Sequence, residues 1–217
     1  MSVSFEIRSS SGAYGINIGT GLIDELFTGV HGAIIICDQY FDSGLKSRGI
    51  PVVAVDATEN AKSLDRMSQI IIQLREAGAN RDSTLIAVGG GVIQDIATFC
   101  ASIFMRGIPW LYAPTTLLGM VDSCIGGKSS INVGSYKNIV GNFYPPQAIV
   151  IDASYINSLS SEKRIAGLCE AVKICFARGD EAFNRYLALA PVVEMPIQNF
   201  SEVIETSLRA KKWFIEI

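Results

Sequence analysis

A short apolar run that leads straight into three glycines constrains this chain more than any other feature. Residues 84–88 (TLIAV) have the composition of a buried strand, residues 89–91 are all glycine, and a helical pattern begins at Val92. In parallel α/β sheets this order brings a tight turn and the free N–H groups of a helix N-terminus to one sheet edge. Three adjacent glycines are not the GxGxxG fingerprint, so the position after a strand is what predicts a phosphate-binding turn.

Other apolar runs surround this turn in the same strand and helix order. Apolar residues between Leu64 and Leu74 recur at helical spacing before the glycine turn. After about residue 152 the composition shifts from strands to helices, the first opening at Ser160 or Ser161 as N-cap. We therefore predict a Rossmann-like α/β domain with a parallel sheet at residues 1–158 and the beginning of a mostly helical domain at residues 159–217. The predicted strands are residues 3–18 (a hairpin), 32–38, 51–56, 84–88, 110–113 and 148–152, and the later helices are 182–189 and 199–217.

Charge and hydropathy argue against several partners. The 18 basic and 21 acidic residues give a formal net charge of −3, which does not suit nucleic acid or an anionic membrane surface. The sequence shows no basic segment followed by an apolar one at its start, and no apolar run approaches the roughly 18 residues of a membrane span. We therefore expect a cytoplasmic protein that binds neither nucleic acid nor membrane.

Cysteine and histidine usage limits the metal chemistry. The five cysteines are odd in number and form no CxxC pair, which favours reduced thiols in the core. His31 is the single histidine, so the chain alone cannot supply a zinc site with two or three histidines. We interpret His31 as a turn residue before a strand.

Polar residues follow several of the predicted strands. Asp38 ends one strand and could accept from a ribose hydroxyl, although a turn or cap role is equally compatible. Thr115 and Thr116 follow another strand, and two glycines precede Lys128. Glycines that allow close approach, next to a lysine, suit an anionic ligand, and a second lysine with an amide follows at residues 137–138. Glu170 and Lys173 share one helix face, either as an ordinary ion pair or, given the apolar context, as site residues.

Several motifs occur together in a known order and spacing. They are GGGVIQD, MRGIP, PTTLLGMVDS, GGKSSIN, KNIVGNFYPPQ and GLCEAVK. On these motifs the chain resembles the 3-dehydroquinate synthases, a family of sugar phosphate cyclases, strongly over residues 55–178 and more loosely before them. The resemblance implies an NAD-binding α/β domain followed by a helical domain with much of the metal and substrate site.

The resemblance also implies roles for individual residues. Glu170 is implied as one of three ligands to Zn²⁺ or Co²⁺, and the segment at residues 155–158 is implied to close the NAD pocket. The implied NAD-binding residues are Asp38, Glu59, Lys62, Gly90, Gly91, Val92, Asp95, Thr115, Thr116, Lys128, Lys137 and Ser158. Those implied around a phosphorylated substrate are Arg106, Asp122, Lys128, Lys137, Asn138 and Lys173.

The implied reaction turns 3-deoxy-arabino-heptulosonate 7-phosphate into 3-dehydroquinate and phosphate. NAD oxidises a secondary alcohol, phosphate is eliminated, the hydride returns, and the opened ring recloses by an intramolecular aldol step. This is lyase chemistry of the shikimate pathway, and the resemblance also implies a homodimer at full length. Two zinc-ligating histidines are expected beyond Ile217, so we expect this 217-residue chain to be inactive alone.

Some positions depart from the family pattern. Gln94 stands where a glycine is expected in the first turn of the helix, Lys128 is followed by Ser-Ser, residues 134–138 read GSYKN, and Lys173 is followed by Ile-Cys. These departures leave other readings open. They are a cyclase of the deoxy-inosose or valiolone type, a metal-dependent polyol dehydrogenase, and a non-catalytic nucleotide-binding module.

Overall fold

The computed structural model describes residues 2–217 and contains nine strands in two sheets. The main sheet has seven strands in the order β1-β2-β9-β6-β5-β3-β4, and all neighbours are parallel except β1 and β2, which form the predicted hairpin. Strands β7 and β8 form a separate antiparallel hairpin. The strands are β1 Val3–Ser9, β2 Gly12–Gly19, β3 Ala33–Asp38, β4 Val52–Val55, β5 Thr84–Gly89, β6 Trp110–Pro114, β7 Ile131–Val133, β8 Tyr136–Val140 and β9 Ala148–Asp152.

Seven α-helices flank the sheet. They are α1 Ile23–Thr28, α2 Asp42–Lys46, α3 Leu64–Glu76, α4 Gly91–Ile103, α5 Ser161–Arg178, α6 Asp180–Ala188 and α7 Ile197–Glu216. Ser160 is the N-cap of α5, as predicted, but its side chain makes no capping hydrogen bond. The predicted α/β fold with a mostly parallel sheet is confirmed, and helices predominate after β9, as expected.

The central strands are buried on both faces, which explains their nearly continuous apolar runs. In β3, Ile34 and Ile36 face the core side that α3, α4, α5 and α7 cover, whereas Ile35 and Cys37 face the layer beneath α1 and α2. Phe200 of α7 belongs to the same core cluster as the first group. The helices after residue 159 therefore pack directly on the sheet, and the proposed domain boundary stays a prediction.

The remaining expectations on single residues are mostly met. His31 is exposed in the turn before β3. Four cysteines are buried and Cys169 is exposed, and all five are free thiols. Of the helices within residues 2–217, none combines the length and the apolar character that crossing a membrane requires.

Candidate functional site

The glycine turn lies where the sheet presents the carboxyl ends of its parallel strands. Gly90 is the N-cap of α4 and Gly91 is its first residue. The backbone N–H of Thr115 donates to the carbonyl of Gly89 at 3.0 Å, which joins the turn after β5 to the loop after β6. A Cβ atom on Gly90 would lie 2.9 Å from Cγ2 of Thr116, so the two loops pack at a distance that only glycine allows. The free N–H groups of α4 thus face the strand ends.

A polar cleft of about 360 Å³ opens beside this turn. Its walls come from the first turns of α4, the π-helical turn Gly119–Ser123, the loop before β7, strand β8 and the end of α7. Segments far apart in sequence therefore contribute to one surface. The lining residues are Lys62, Gly91, Gln94, Asp95, Asp122, Ser123, Ile125, Gly126, Lys128, Ser130, Asn138, Lys211 and Ile215.

Lys62 is the buried centre of a polar network on one wall. Its Nζ lies 2.9 Å from Oδ2 of Asp95, 3.1 Å from Oδ1 of Asn138 and 3.5 Å from Oε1 of Glu59. Lys62 is only 6% exposed, so its charge is stabilised by these partners and not by water. Asp95 also accepts from the backbone N–H of Ser130 at 2.9 Å. This network joins the short 3₁₀ helix Glu59–Lys62, helix α4 and strand β8.

The pKa values of the two carboxylates in this network are shifted in opposite directions. Burial raises the pKa of Asp95, and the Lys62 ammonium opposes that rise without cancelling it. The Asn132 amide, which donates to Oε1 of Glu59 at 2.9 Å, is the main cause of the lowered pKa of Glu59. Exposed Lys137 adds a smaller effect in the same direction, so it lies within electrostatic range of Glu59.

Asp122 and Lys211 form the ion pair of the opposite wall. The Lys211 Nζ lies 2.6 Å from Oδ1 of Asp122 and donates to its carbonyl at 2.7 Å. On α5, the Glu170 carboxylate is 18% exposed and pairs with the largely exposed Lys173. A hydrogen bond to Glu170 is the main cause of the raised pKa of Lys173, and Asp122 contributes weakly. The predicted pair on α5 is therefore close to the cleft without lining it.

Sequence reasoning missed several side chains of this site, and three of them make informative contacts. Lys211 was not predicted. Its one local signal is its position one helical turn after Ser207, whose buried hydroxyl donates to the carbonyl of Val121. Tyr14 accepts from the backbone N–H of Gly126 at 2.8 Å and so supports the glycine loop before Lys128. Ser123 was quoted in a motif but given no role, although it contacts the cleft floor.

The predicted residues fall into two groups in space. One group surrounds the cleft: Lys62, Gly91, Asp95, Asp122, Lys128 and Asn138 line it, and Gly90, Thr115, Thr116, Val92 and Glu59 adjoin it. The others lie outside its lining. Asp38 ends β3 and caps the 3₁₀ helix Gln39–Phe41 by accepting from Tyr40 N at 3.0 Å, and the Ser158 hydroxyl donates to the carbonyl of Tyr155.

Arg106 is not brought to the cleft. It follows α4 at the end opposite the glycine turn, and 13 helical residues extend about 20 Å. Its φ of +75° and that of Met105, +50°, place two consecutive non-glycine residues in a left-handed conformation. Its predicted role at the substrate therefore has no support from the position of this side chain within one chain.

The described part of the chain offers an incomplete metal site. Within residues 2–217, no three His, Cys, Asp or Glu side chains come together in a group that could hold a metal ion. Glu170 is a half-buried carboxylate paired with an ammonium, which fits one ligand and no more. A metal at Glu170 would need its remaining ligands from outside these residues.

Comparison with known structures supports the fold. The chain matches 2-deoxy-scyllo-inosose synthase, solved with carbaglucose-6-phosphate, NAD⁺ and Co²⁺, with a TM-score of 0.86 at 22% identity, covering 99% of this chain and 64% of that one. It matches 2-epi-5-epi-valiolone synthase from Streptomyces hygroscopicus, solved with NAD⁺ and Zn²⁺, with a TM-score of 0.78 at 25% identity, covering 91% and 60%. An iron-containing alcohol dehydrogenase from Thermotoga maritima reaches 0.69 at 16% identity, covering 98% and 68%.

Comparison of sequences shows the family. The 3-dehydroquinate synthase from Pyrobaculum aerophilum is 34% identical over 214 residues, which cover 98% of this chain and 61% of the relative. That from Xylella fastidiosa is 40% identical over 191 residues, covering 80% and 48%. The chain thus spans about half to three fifths of the length of these relatives. The family model described as 3-dehydroquinate synthase N-terminal matches residues 52–166, more than half of the chain, and the chain therefore belongs to the 3-dehydroquinate synthase family.

Proposed function

We propose that this protein acts as a 3-dehydroquinate synthase, a lyase that converts 3-deoxy-arabino-heptulosonate 7-phosphate to 3-dehydroquinate and phosphate with NAD as a catalytic cofactor. One observation supports this most. The glycine turn at the start of α4 opens into the same cleft as Lys128, Asn138 and the Asp122–Lys211 pair. A dinucleotide site and a site for an oxygen-rich anion are therefore adjacent, as an oxidation followed by phosphate loss requires.

The cofactor side of the proposed site is formed by α4 and its neighbours. The N–H groups at the start of α4 would bind the pyrophosphate, since Gly91 leaves the backbone open to close approach. Lys62 and Asp95 would fix the adjoining wall through their buried pair. NAD bound there would supply the hydride acceptor for a substrate alcohol and later return the hydride.

The substrate side would use the cations and amides of the opposite wall. Lys128 and Lys211 would stabilise the phosphate as it gains charge on leaving, because ammonium groups form charge-assisted hydrogen bonds with phosphate oxygens. Asp122 would accept from a substrate hydroxyl and orient the sugar carbons toward the cofactor. Asn138 would contribute an amide to the same oxygen-rich ligand.

A divalent metal ion belongs to the proposed site. Two fold neighbours were solved with Co²⁺ or Zn²⁺, and in this chain Glu170 would be one ligand of such an ion. A bound divalent ion would polarise a substrate oxygen. We also propose that the full-length protein is a cytoplasmic homodimer and that a domain boundary follows residue 158.

A related cyclase reaction is the second candidate. The fold likeness to 2-deoxy-scyllo-inosose synthase is high, although its 22% identity shows the fold alone. The GSYKN segment departs from the family pattern next to Asn138. A substrate panel separates these candidates, because each cyclase releases phosphate from a different sugar phosphate.

The decisive experiment measures phosphate release by the protein as its source organism makes it, with added NAD and Zn²⁺. Release from 3-deoxy-arabino-heptulosonate 7-phosphate without accumulation of NADH supports the proposal. Net NADH would indicate a polyol dehydrogenase, and NAD binding without turnover of any substrate would indicate a nucleotide-binding module. Lys128→Met should abolish release, whereas Lys163→Met, on the exposed surface of α5, should not.

A further inference from the structure

The side chain of Gln94 is buried in the cleft floor and has no role in the function proposed above. It is 3% exposed, and its carboxamide makes two hydrogen bonds with one residue. Nε2 donates to the backbone carbonyl of Ser123 at 2.6 Å, and the Ser123 hydroxyl donates to Oε1 at 2.9 Å. The interaction is reciprocal, so each residue is both a donor and an acceptor for the other.

This pair joins the two halves of the site. The backbone N–H of Gln94 donates to the carbonyl of Gly90 at 3.0 Å, so the residue is fixed within the turn that starts α4. Ser123 is the last residue of the π-helical turn, and Asp122 comes directly before it in the same turn. The amide of Gln94 therefore sets the spacing between the glycine turn and the Asp122 carboxylate, which accepts from Lys211.

The π-helical turn needs such a contact. Its characteristic bond runs from the N–H of Cys124 to the carbonyl of Gly119 at 3.1 Å, a pattern that is rare and seldom stable alone. The carbonyl of Ser123 lies at the end of this turn, where helix carbonyls lack partners within the helix. The Gln94 amide satisfies that acceptor with a short bond and fixes the turn against α4.

We propose that Gln94 is a positioning residue that, through Ser123, holds the Asp122 carboxylate in place in the cleft beside the glycine turn. This inference rests on the proposed cyclase function. Gln94 does not itself need to touch the substrate. Its loss should reduce turnover more than cofactor affinity, because a displacement of about 1 Å in a reacting geometry costs on the order of a hundredfold in rate.

Four variants separate the two hydrogen bonds. Gln94→Met keeps the length of the side chain and removes both bonds, and Ser123→Ala removes only the bond to Oε1. Gln94→Glu keeps an acceptor for the serine hydroxyl but loses the donor to the carbonyl. The double variant Gln94→Met/Ser123→Ala tests whether the two residues act as one unit. Thr98→Val is the matched control, because Thr98 is buried one turn further along α4 and its hydroxyl has no partner among residues 2–217.

The readouts are hydrogen exchange of the amides of residues 119–124, NAD affinity by calorimetry, and kcat and KM in the phosphate-release assay. We expect Gln94→Met to speed exchange of this turn and to lower kcat, each by about tenfold, with an NAD affinity within about twofold of wild type. The double variant should be no worse than Gln94→Met, and Thr98→Val should match wild type. Gln94→Glu should lose at least as much as Gln94→Met, because it places a buried carboxylate against the Ser123 carbonyl.

Two outcomes overturn the inference. Unchanged exchange and kcat in Gln94→Met would show that the pair positions nothing. A uniform rise in exchange over the whole chain, with kcat and NAD affinity falling together, would show a merely structural role. Failure of the proposed function is a different result, since wild type would then release no phosphate, and the exchange of residues 119–124 would still decide whether Gln94 holds the turn.

Discussion

Removing the buried ammonium of Lys62 is expected to show how strongly one wall of the cleft depends on a single ion pair. In Lys62→Met, the Asp95 carboxylate keeps the Ser130 N–H as a partner but loses the cation 2.9 Å away. Oδ1 of Asn138 also loses the hydrogen bond that it accepts from Lys62 Nζ at 3.1 Å. Glu59 is affected less, because its side chain is 43% exposed and water can replace the lysine.

The expected cost follows from burial. Breaking a buried ion pair by removing one partner typically costs 3–5 kcal/mol, because an uncompensated charge is left behind. The side chains of Lys62 and Asp95 are 8% and 16% exposed, and Asp95 retains one hydrogen bond. We therefore expect about 3 kcal/mol at pH 7. The double variant Lys62→Met/Asp95→Asn leaves no lone charge and should lose only about 1–2 kcal/mol.

The stability deficit of Lys62→Met should depend on pH in a definite direction. The folded-state pKa of Asp95 is raised, mainly by burial, so the folded protein holds this proton more tightly than the unfolded chain. The stability from Asp95 is fully present below its unfolded pKa and is lost as the pH rises through its folded pKa. Without Lys62 that folded pKa rises further. The deficit of Lys62→Met against wild type should therefore be largest near pH 7 and shrink as the pH falls through the raised pKa.

Urea unfolding at several pH values tests these numbers, with the fluorescence of the buried Trp110 as the signal. Lys163→Met, on the exposed face of α5, is the control for loss of a lysine and should change stability by less than about 0.5 kcal/mol. Equal stability of the single and double variants at pH 7 would contradict the ion-pair argument. A deficit that grew as the pH fell would contradict the assigned role of Asp95.

Three further substitutions test other contacts of the site. Tyr14→Phe leaves the N–H of Gly126 without its acceptor 2.8 Å away, and should cost about 1–3 kcal/mol in urea unfolding. Gly167→Ala places a Cβ atom 2.7 Å from Cβ of Leu117, so α5 must shift, and a loss of about 2 kcal/mol should appear in thermal unfolding. In Gly91→Ala the added Cβ would lie 3.9 Å from its nearest non-local atom, so the variant should fold normally. It should nevertheless bind NAD at least about tenfold more weakly by calorimetry, because the methyl group would keep the pyrophosphate from the backbone. Unchanged affinity would exclude close approach at this residue.

The arrangement of the glycine turn could be predicted from sequence because its signals are local. The buried strand, the glycine turn and the start of α4 are consecutive, and their order alone places helix N–H groups at the strand ends. Thr115 and Thr116 follow the neighbouring strand β6 and reach the same edge for the same reason. The parallel order of the sheet follows from the same alternation of strands and helices.

The opposite wall of the cleft, around Asp122, could not be predicted in this way, because its contacts join residues that are distant in sequence. Lys211 lies 89 residues from Asp122, and Tyr14 lies 112 residues from Gly126. No periodic pattern reports such pairs, and a lysine on a helix is usually a solvated surface residue. Arg106 was predicted from a motif as well, and the 13-residue length of α4 places it at the end of the helix away from the glycine turn, so its role stays a prediction.

The separation of these partners links formation of the cleft to docking of α7. Lys212 donates to the carbonyl of Glu6, and the Ser207 hydroxyl donates to the carbonyl of Val121, so α7 contacts both β1 and the π-helical turn. Lys211 lies between these contacts and reaches Asp122 only when they are made. A partly buried carboxylate without that ammonium would favour a different turn conformation. The charge pattern of the proposed substrate site is therefore a product of tertiary packing, whereas the glycine turn of the proposed dinucleotide site is already present in one strand, one turn and one helix.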